Sequence, residues 1–435
     1  MRFQKPREIA VRVLLQREQG ADYVENLLER ELSSLALVDR ALCQGLVFGV
    51  VRWQAALDWL ITRKTQGRTQ KAALQILVRL GLYQLFWLDR VPDHAAVNET
   101  VALTRQLGFG PQSGFVNALL RGYTRERDAT KKLLEELKTA QPHLGYSHPD
   151  WLCERWRKRW GNEKLRRLLE WNNTPPKTFA RVNTLKTESG KLLEQWRTEE
   201  VEYDFVRHPW FEDSLVFELK SHPPLASLPS LQQGLFYIQD PSTLLAVQLL
   251  DPQPGETILD LCSAPGGKTT YIAQVMQDRG RLVAQDLNRI RLELLRENCE
   301  RLGVTCAEYT CNSGVVFPKL TAQVDRVLVD APCSNTGVMR RRVDLRWRIR
   351  PEEIERLRTA QLELLHDAAV QTKPGGTLVY STCSLEPEEN RQVVEEFLAS
   401  HLDFKLETER ELLPFADGVD GAYVGRLRRA SSAVS

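Results

Sequence analysis

After residue 235 the chain settles into a repeating plan. A short apolar strand runs into a turn of small or reactive residues, and a helix follows. The strands are Thr257 to Leu261, Arg281 to Asp286, Asp325 to Asp330 and Gly376 to Ser381. Strands alternating with helices make an open, mostly parallel α/β sheet, because a parallel pair needs a crossover long enough to be a helix. In such sheets ligands sit outside the carboxyl ends of the strands. The residues just after each strand therefore carry the argument.

The first of these turns is Cys262-Ser263-Ala264-Pro265-Gly266-Gly267-Lys268-Thr269-Thr270. Its glycines let backbone approach a ligand closely, and the following helix offers unpaired N–H groups. Gly267-Lys268-Thr269 ends like a P-loop, and Val327 to Asp330 could imitate a magnesium-holding strand. A P-loop, however, needs a glycine where this chain has Cys262. A nucleoside cofactor without phosphates fits better. The next strand ends in Asp286, which can accept from both ribose hydroxyls, and the G-x-G-x-x-G fingerprint of dinucleotide sites is absent. Asp286 can also cap the helix after it, and the two roles are compatible.

The other two strands each end at a cysteine. One runs Asp330-Ala331-Pro332-Cys333-Ser334, the other Ser381-Thr382-Cys383-Ser384-Leu385-Glu386-Pro387. A lone cysteine after a strand is usually packing. Two, both facing the same cleft and one beside an aspartate, point to nucleophilic chemistry. Residue logic alone does not rank them.

The rest of the chain is organised differently. Up to about residue 125 apolar residues recur at helical spacing, as in Ile9, Ala10, Val13 and Leu14, or Leu74, Leu77, Val78, Gly81 and Leu85. Between 141 and 234 the periods mix. We therefore expect three domains: a helical bundle at 1–140, a small α+β domain at 141–234, and a Rossmann-like catalytic domain at 235–435. The eight cysteines include no Cys-x-x-Cys pair, which argues against a structural metal. No apolar run approaches the roughly 18 residues of a membrane helix, and the first residues lack a secretory core. A cytoplasmic, monomeric protein is expected, with neither membrane nor metal as partner. Net charge is only +2, but its distribution is uneven. Arg340, Arg341, Arg342, Arg346, Arg348 and Arg350 face one acid, Asp344, and enclose Trp347, a pattern suited to nucleic-acid phosphates with an aromatic platform. The basic residues between Arg155 and Arg167 read equally well as a solvated helix face.

Taken together, Asp260-Leu-Cys262-Ser-Ala-Pro-Gly-Gly-Lys268-Thr, Asp330-Ala-Pro-Cys333-Ser and Ser-Thr-Cys383-Ser-Leu-Glu-Pro-Glu-Glu-Asn390 resemble the motifs of the Nop2/Sun RNA cytosine-C5 methyltransferases. Asn117-Ala-Leu-Leu-Arg121-Gly, Arg181-Val-Asn183 and Asp420 to Leu427 resemble its bacterial Sun (RsmB-type) subgroup, which acts on 16S ribosomal RNA and carries an N-terminal NusB-like, RNA-binding domain. The resemblance covers essentially the whole chain. It implies S-adenosylmethionine as cofactor and small-subunit ribosomal RNA as partner. By resemblance Cys383 is the nucleophile, Cys333 assists product release, and Asp330 holds the base, with Lys268 completing the catalytic set. Cofactor contacts fall on Cys262, Ser263, Ala264, Pro265, Gly266, Gly267, Lys268, Asp286, Asn312 and Asp330. RNA contacts are assigned to Arg181, Asn183, Arg341, Arg342 and Trp347.

The chemistry such a set performs is coherent. Cytosine C5 is a poor nucleophile until a thiolate adds at C6. A carboxylate near N3 and the amine stabilises the charge that develops, and a base must then remove the C5 proton. Three positions depart from the family pattern: Asn312 replaces an aspartate, Asn335 a glycine and Val343 a proline. Two other functions remain open from residues alone, an NTPase and a non-catalytic RNA-binding adaptor.

Overall fold

The computed structural model describes residues 6–20, 22–32, 35–68, 70–311 and 320–431. The chain divides into two compact units. One comprises Met1–Thr174 with Met339–Arg348, the other Pro175–Val338 with Ile349–Ser435.

The first unit is helical. Its centre is the helix Ala72–Trp87, whose residues from Ile76 to Leu85 are all buried. A helix that is apolar around its whole circumference must be surrounded by others. Here it packs in one core with Ile9, Val13 and Leu14 of Pro6–Glu18, Leu46, Val47 and Val50 of Leu37–Arg52, and Val116 and Leu120 of Ser113–Arg125. The long helix Asp150–Asn173 is broken at Gly161, which adopts φ 79°. Trp156 is buried in this helix, and Trp160 lies half-buried beneath the Arg159 guanidinium.

The second unit holds two sheets. The smaller is antiparallel in the order β2-β3-β1-β4, with β1 Thr178–Val182, β2 Glu202–Phe205, β3 Val216–Ser221 and β4 Phe236–Ile238. The helix Ser189–Thr198 presses Trp196 into Tyr203, Phe217 and Phe236 at ring distances of 5.3–5.6 Å. The larger sheet comprises β5 Thr257–Leu261, β6 Arg281–Asp286, β7 Ala307–Cys311, β8 Val324–Asp330, β9 Thr372–Thr382, β10 Phe404–Leu412 and β11 Ala422–Arg429. Its order is β10-β11-β9-β8-β5-β6-β7, parallel from β9 to β7 and antiparallel at β11 and β10.

Alternation along these strands divides two apolar layers, as a period of two requires. Ile258, Leu282, Leu328 and Val379 face the helices Leu244–Leu250, Gly267–Val275 and Arg289–Leu302. Leu259, Val283, Val327 and Leu378 face Pro351–Gln371 and Arg391–Ser400. Burial of both faces explains why the strands read as continuous apolar runs. Strand order reverses between β5 and β8, so a crevice opens where Leu261 and Asp330 end. That is where sheets of this kind bind ligands. Among the described residues no helix is long and apolar enough to cross a membrane.

Candidate active site

Three turns meet at this crevice. After β5 the chain reverses through Gly266, whose φ of 103° lies in the left-handed region where a side chain would be strained. The turn is fixed to the end of β6. Ser263 N–H donates to Gln285 O at 3.0 Å, and Ala264 N–H donates to Asp286 Oδ2 at 3.1 Å. Asp286 also accepts from Asn288 N–H at 2.9 Å, so it does hold the start of the next helix. A cavity of about 530 Å3 lies beside it, lined by Cys262, Asp286, Leu287, Ile290, Arg291 and Pro332. Ile290 is 77% exposed and Leu287 42%, so two apolar side chains stand uncovered next to a carboxylate. Flat apolar base and polar sugar are the complement of that lining. Pro265 is exposed, but its carbonyl accepts from Asn298 Nδ2 at 3.0 Å.

The resemblance of this turn to a P-loop does not survive the geometry. The Lys268 ammonium donates to Asp330 Oδ2 at 2.7 Å, and the Thr269 hydroxyl donates to Asp260 Oδ2 at 2.7 Å. Both side chains that a P-loop would spend on phosphate and magnesium are engaged with carboxylates instead. Burial pulls the Lys268 ammonium pKa down, but the charge of Asp330 outweighs it and the net direction is up. Asp260 is fully buried, which raises its carboxyl pKa to about 7, and its Oδ1 finds no partner among the described residues.

Beyond β8 and β9 the two cysteines come together, with Cys333 Sγ 3.2 Å from Cys383 Sγ. Their environments differ. Cys333 is buried; contact with the Cys383 thiol and burial both push its pKa well above the usual thiol range. Cys383 is only partly buried and donates its S–H to Asn335 Oδ1 at 3.0 Å. Asn335 sits at φ 56°, a left-handed conformation that glycine and then asparagine adopt most readily. Gly337 lets the loops close. Its N–H donates to Cys383 O at 3.0 Å, and an added Cβ would lie 2.8 Å from that oxygen and 2.5 Å from Gly421 O. Asp330 completes the group, accepting from Ser381 Oγ at 3.1 Å as well as from Lys268.

The structure gives different roles to several residues assigned to RNA. Arg181 is 1% exposed and donates to Gly267 O at 2.8 Å and Thr270 Oγ1 at 3.0 Å, with Tyr271 and Tyr237 rings at 4.9 and 5.5 Å. It braces the cofactor turn from beneath. Asn183 is 2% exposed and donates to Gly234 O and Leu302 O, both at 2.8 Å. Side chains buried on protein acceptors in this way do not reach a phosphate outside. Trp347 is half-buried against the helical core, and its indole N–H donates to Val51 O at 2.8 Å. Arg341 is half-buried with interactions of its own, and Arg342 alone of the five is exposed. Val343 is buried in the helical core, and Asn312 lies outside the described residues.

Comparison with known proteins agrees with this architecture. Residues 247–427 match the family model of the 16S rRNA methyltransferase RsmB/F, residues 4–125 the NusB family, and residues 148–222 the ferredoxin-like domain of RsmF/B-like methyltransferases. The chain is 34% identical over 452 residues to the probable ribosomal RNA small subunit methyltransferase B of Bacillus subtilis, covering 97% of this chain and 98% of that one. It is 35% identical over 436 residues to ribosomal RNA small subunit methyltransferase B of Klebsiella pneumoniae, covering 97% of each. Among solved structures, a methyltransferase homolog protein from Pyrococcus horikoshii is 31% identical with a TM-score of 0.58, covering 68% of this chain and 99% of that one. Similarity of this extent identifies the chain as a member of the RsmB/F family of 16S rRNA methyltransferases, with a NusB-like domain ahead of a ferredoxin-like and a Rossmann-like one.

Proposed function

We propose that the protein methylates carbon 5 of a cytosine in 16S ribosomal RNA through a covalent bond between Cys383 and C6 of the base. The observation that carries this reading is the pair of thiols 3.2 Å apart, with the Asp330–Lys268 ion pair on the neighbouring strand end. S-adenosylmethionine, bound in the cavity beside Asp286, would supply an electrophilic methyl group. Asp286 would take its ribose, Leu287 and Ile290 its adenine, and Asp260 Oδ1, without a partner among the described residues, a donor on the same ligand.

Cys383 is the more accessible thiol, which suits a group that must reach above the ring of an extruded cytosine. Addition of its thiolate to C6 makes C5 nucleophilic, and C5 then takes the methyl group. Asp330, held by Lys268 and Ser381, would accept from the cytosine amine, and the Lys268 ammonium beside it would offset the negative charge that develops toward N3. A water molecule then takes the C5 proton as base, the electron pair of that C–H bond re-forms the C5=C6 double bond, and Cys383 leaves C6 as a thiolate. Cys333, kept protonated by burial and by its neighbour, can return a proton to the departing sulfur. The NusB-like domain engages the RNA, with Arg342 exposed for phosphate, and the work is done in the cytoplasm.

The test is transfer of a labelled methyl group from S-adenosylmethionine to small-subunit ribosomal RNA, followed by nucleoside mass spectrometry. Label in 5-methylcytidine is expected. Label in another nucleoside would overturn the position, and RNA binding without any transfer would favour an adaptor built on a dead enzyme.

A further inference from the structure

The mechanism needs two thiols at a fixed separation on two different loops. Asn335 and Gly337 link those loops at the cysteines, Asn335 through Cys383 Sγ and Cys333 O, and Gly337 through Cys383 O. One buried acid links the residues next to the thiols as well. Glu389 is 0% exposed and lies in the 3-10 turn Pro387–Glu389, after the Cys383 loop. Its Oε1 accepts from Ser334 N–H at 2.7 Å and from Gln361 Nε2 at 3.1 Å. Its Oε2 accepts from the hydroxyl of Ser384 at 2.5 Å and from that of Ser334. Ser334 follows Cys333 and Ser384 follows Cys383 in the chain. One carboxylate therefore holds the residue next to each thiol.

We propose that Glu389 is a positioning residue, which sets the Cys333–Cys383 geometry by binding Ser334 and Ser384 at once. This rests on the reading of the two thiols given above. The neighbouring bonds all serve the same frame. Gln361 also donates to Pro332 O at 2.9 Å, the Tyr380 hydroxyl donates to Glu389 O at 2.6 Å, and Asn390 Nδ2 donates to Ser384 O at 2.9 Å. An amide could fill the same space at lower cost, because a buried carboxylate must be compensated by every donor it meets. What an amide cannot do is accept from four donors divided between two oxygens. The acid is what lets two hydroxyls, a backbone N–H and a side-chain amide converge on one point.

Glu389→Gln tests this, because it keeps the shape and turns one acceptor into a donor facing the two serines. We expect kcat to fall about a hundredfold, the scale of a thiol misplaced by around 1 Å, with the KM for RNA and the affinity for S-adenosylhomocysteine changed by less than about twofold. Glu389→Asp, which returns the carboxylate on a shorter arm, should recover about tenfold of that loss. Wild-type kcat in Glu389→Gln would overturn the proposal, and so would a loss shared equally by RNA and cofactor affinity. If Glu389→Gln fails to fold, the double variant Ser334→Ala/Ser384→Ala removes the two hydroxyls instead and must show the same selective loss of kcat. Full activity in that folded variant would also overturn it. Absence of cytosine methylation by the wild type would sink the underlying reading, whereas wild-type transfer with an indifferent Glu389→Gln would sink only the positioning role.

Discussion

A thiol that bonds to a base and later releases it needs a second proton-bearing group at hand, and at residue scale the two cysteines differ in the required sense. Cys383→Ala should abolish methylation, since C5 cannot attack without addition at C6. Cys333→Ala should allow addition and transfer but stall release, leaving RNA joined to Cys383 as a slow band on a denaturing gel. That band should need both RNA and S-adenosylmethionine and vanish in the double variant. A trapped adduct in the Cys383 variant alone would put the nucleophile on the Pro332-Cys333 loop. Asp260 supports a prediction about stability. Burial raises its pKa to about 7 from the ordinary 3.8, with the Thr269 hydroxyl pulling part of the way back. Between those values the folded chain binds more protons than the unfolded one, so this group makes folding less favourable as pH rises from about 4 to about 7. Asp260→Asn removes that effect while Thr269 keeps an acceptor. Its melting temperature should exceed the wild-type value by more at about pH 8 than at about pH 4.5, and an advantage independent of pH would refute the assignment.

Among the elements, β1 shows how far a motif can be recognised while its physical role is misread. Arg181-Val-Asn183 is visible in the sequence as a strand-like motif that resembles the Sun subgroup, and the resemblance assigned both polar residues to RNA. In the fold β1 lies inside its sheet; Arg181 reaches Gly267 O in the cofactor turn, and Asn183, just past the strand, reaches Gly234 O and Leu302 O, so both side chains are buried on backbone carbonyls. Backbone acceptors leave no mark in a sequence, and this is why the role could not be read there. Strands β5, β6, β8 and β9 were legible because each is apolar on both faces and ends in a distinctive turn. β10 and β11 were not, because their burial is mixed and Lys405, Glu407 and Arg426 break the alternation. Arg181→Met should expose the consequence. It strips Gly267 O and Thr270 Oγ1 of a donor at a cost of about 1–3 kcal/mol. Calorimetry should show weaker S-adenosylhomocysteine binding, while filter binding of RNA stays at the wild-type level. Loss of RNA affinity with intact cofactor binding would restore the original assignment.

For the whole molecule, the segment Met339–Arg348 decides how the chain can be divided. It follows the Cys333 loop in sequence but belongs to the helical unit. Its charge pattern suggested phosphate binding, yet the interior uses nearly all of it. Asp344 is fully buried and accepts from Arg17 Nε at 2.6 Å, Arg348 Nε at 2.9 Å and Val24 N–H at 3.1 Å. Arg346, also fully buried, donates to Asn173 Oδ1 at 2.8 Å and Asn172 O at 3.0 Å, and the Arg340 guanidinium lies 4.1 Å above the Trp171 ring. Composition could show the charges but not these partners, which are distant in sequence. A truncation that removes residues 1–174 is therefore not a clean separation of domains. It leaves Val343 without its core, Arg346 without its acceptors and Arg340 without the Trp171 ring, a group of losses that unfolds a short segment locally. A chain starting at Pro175 should be cut by trypsin between Arg340 and Arg348 under conditions in which the full-length protein is protected there. Adding the separate fragment 1–174 should restore protection, because it returns the partners of Arg346 and Asp344. Equal protection of the truncated and full-length chains would mean that the segment holds its structure without the helical unit.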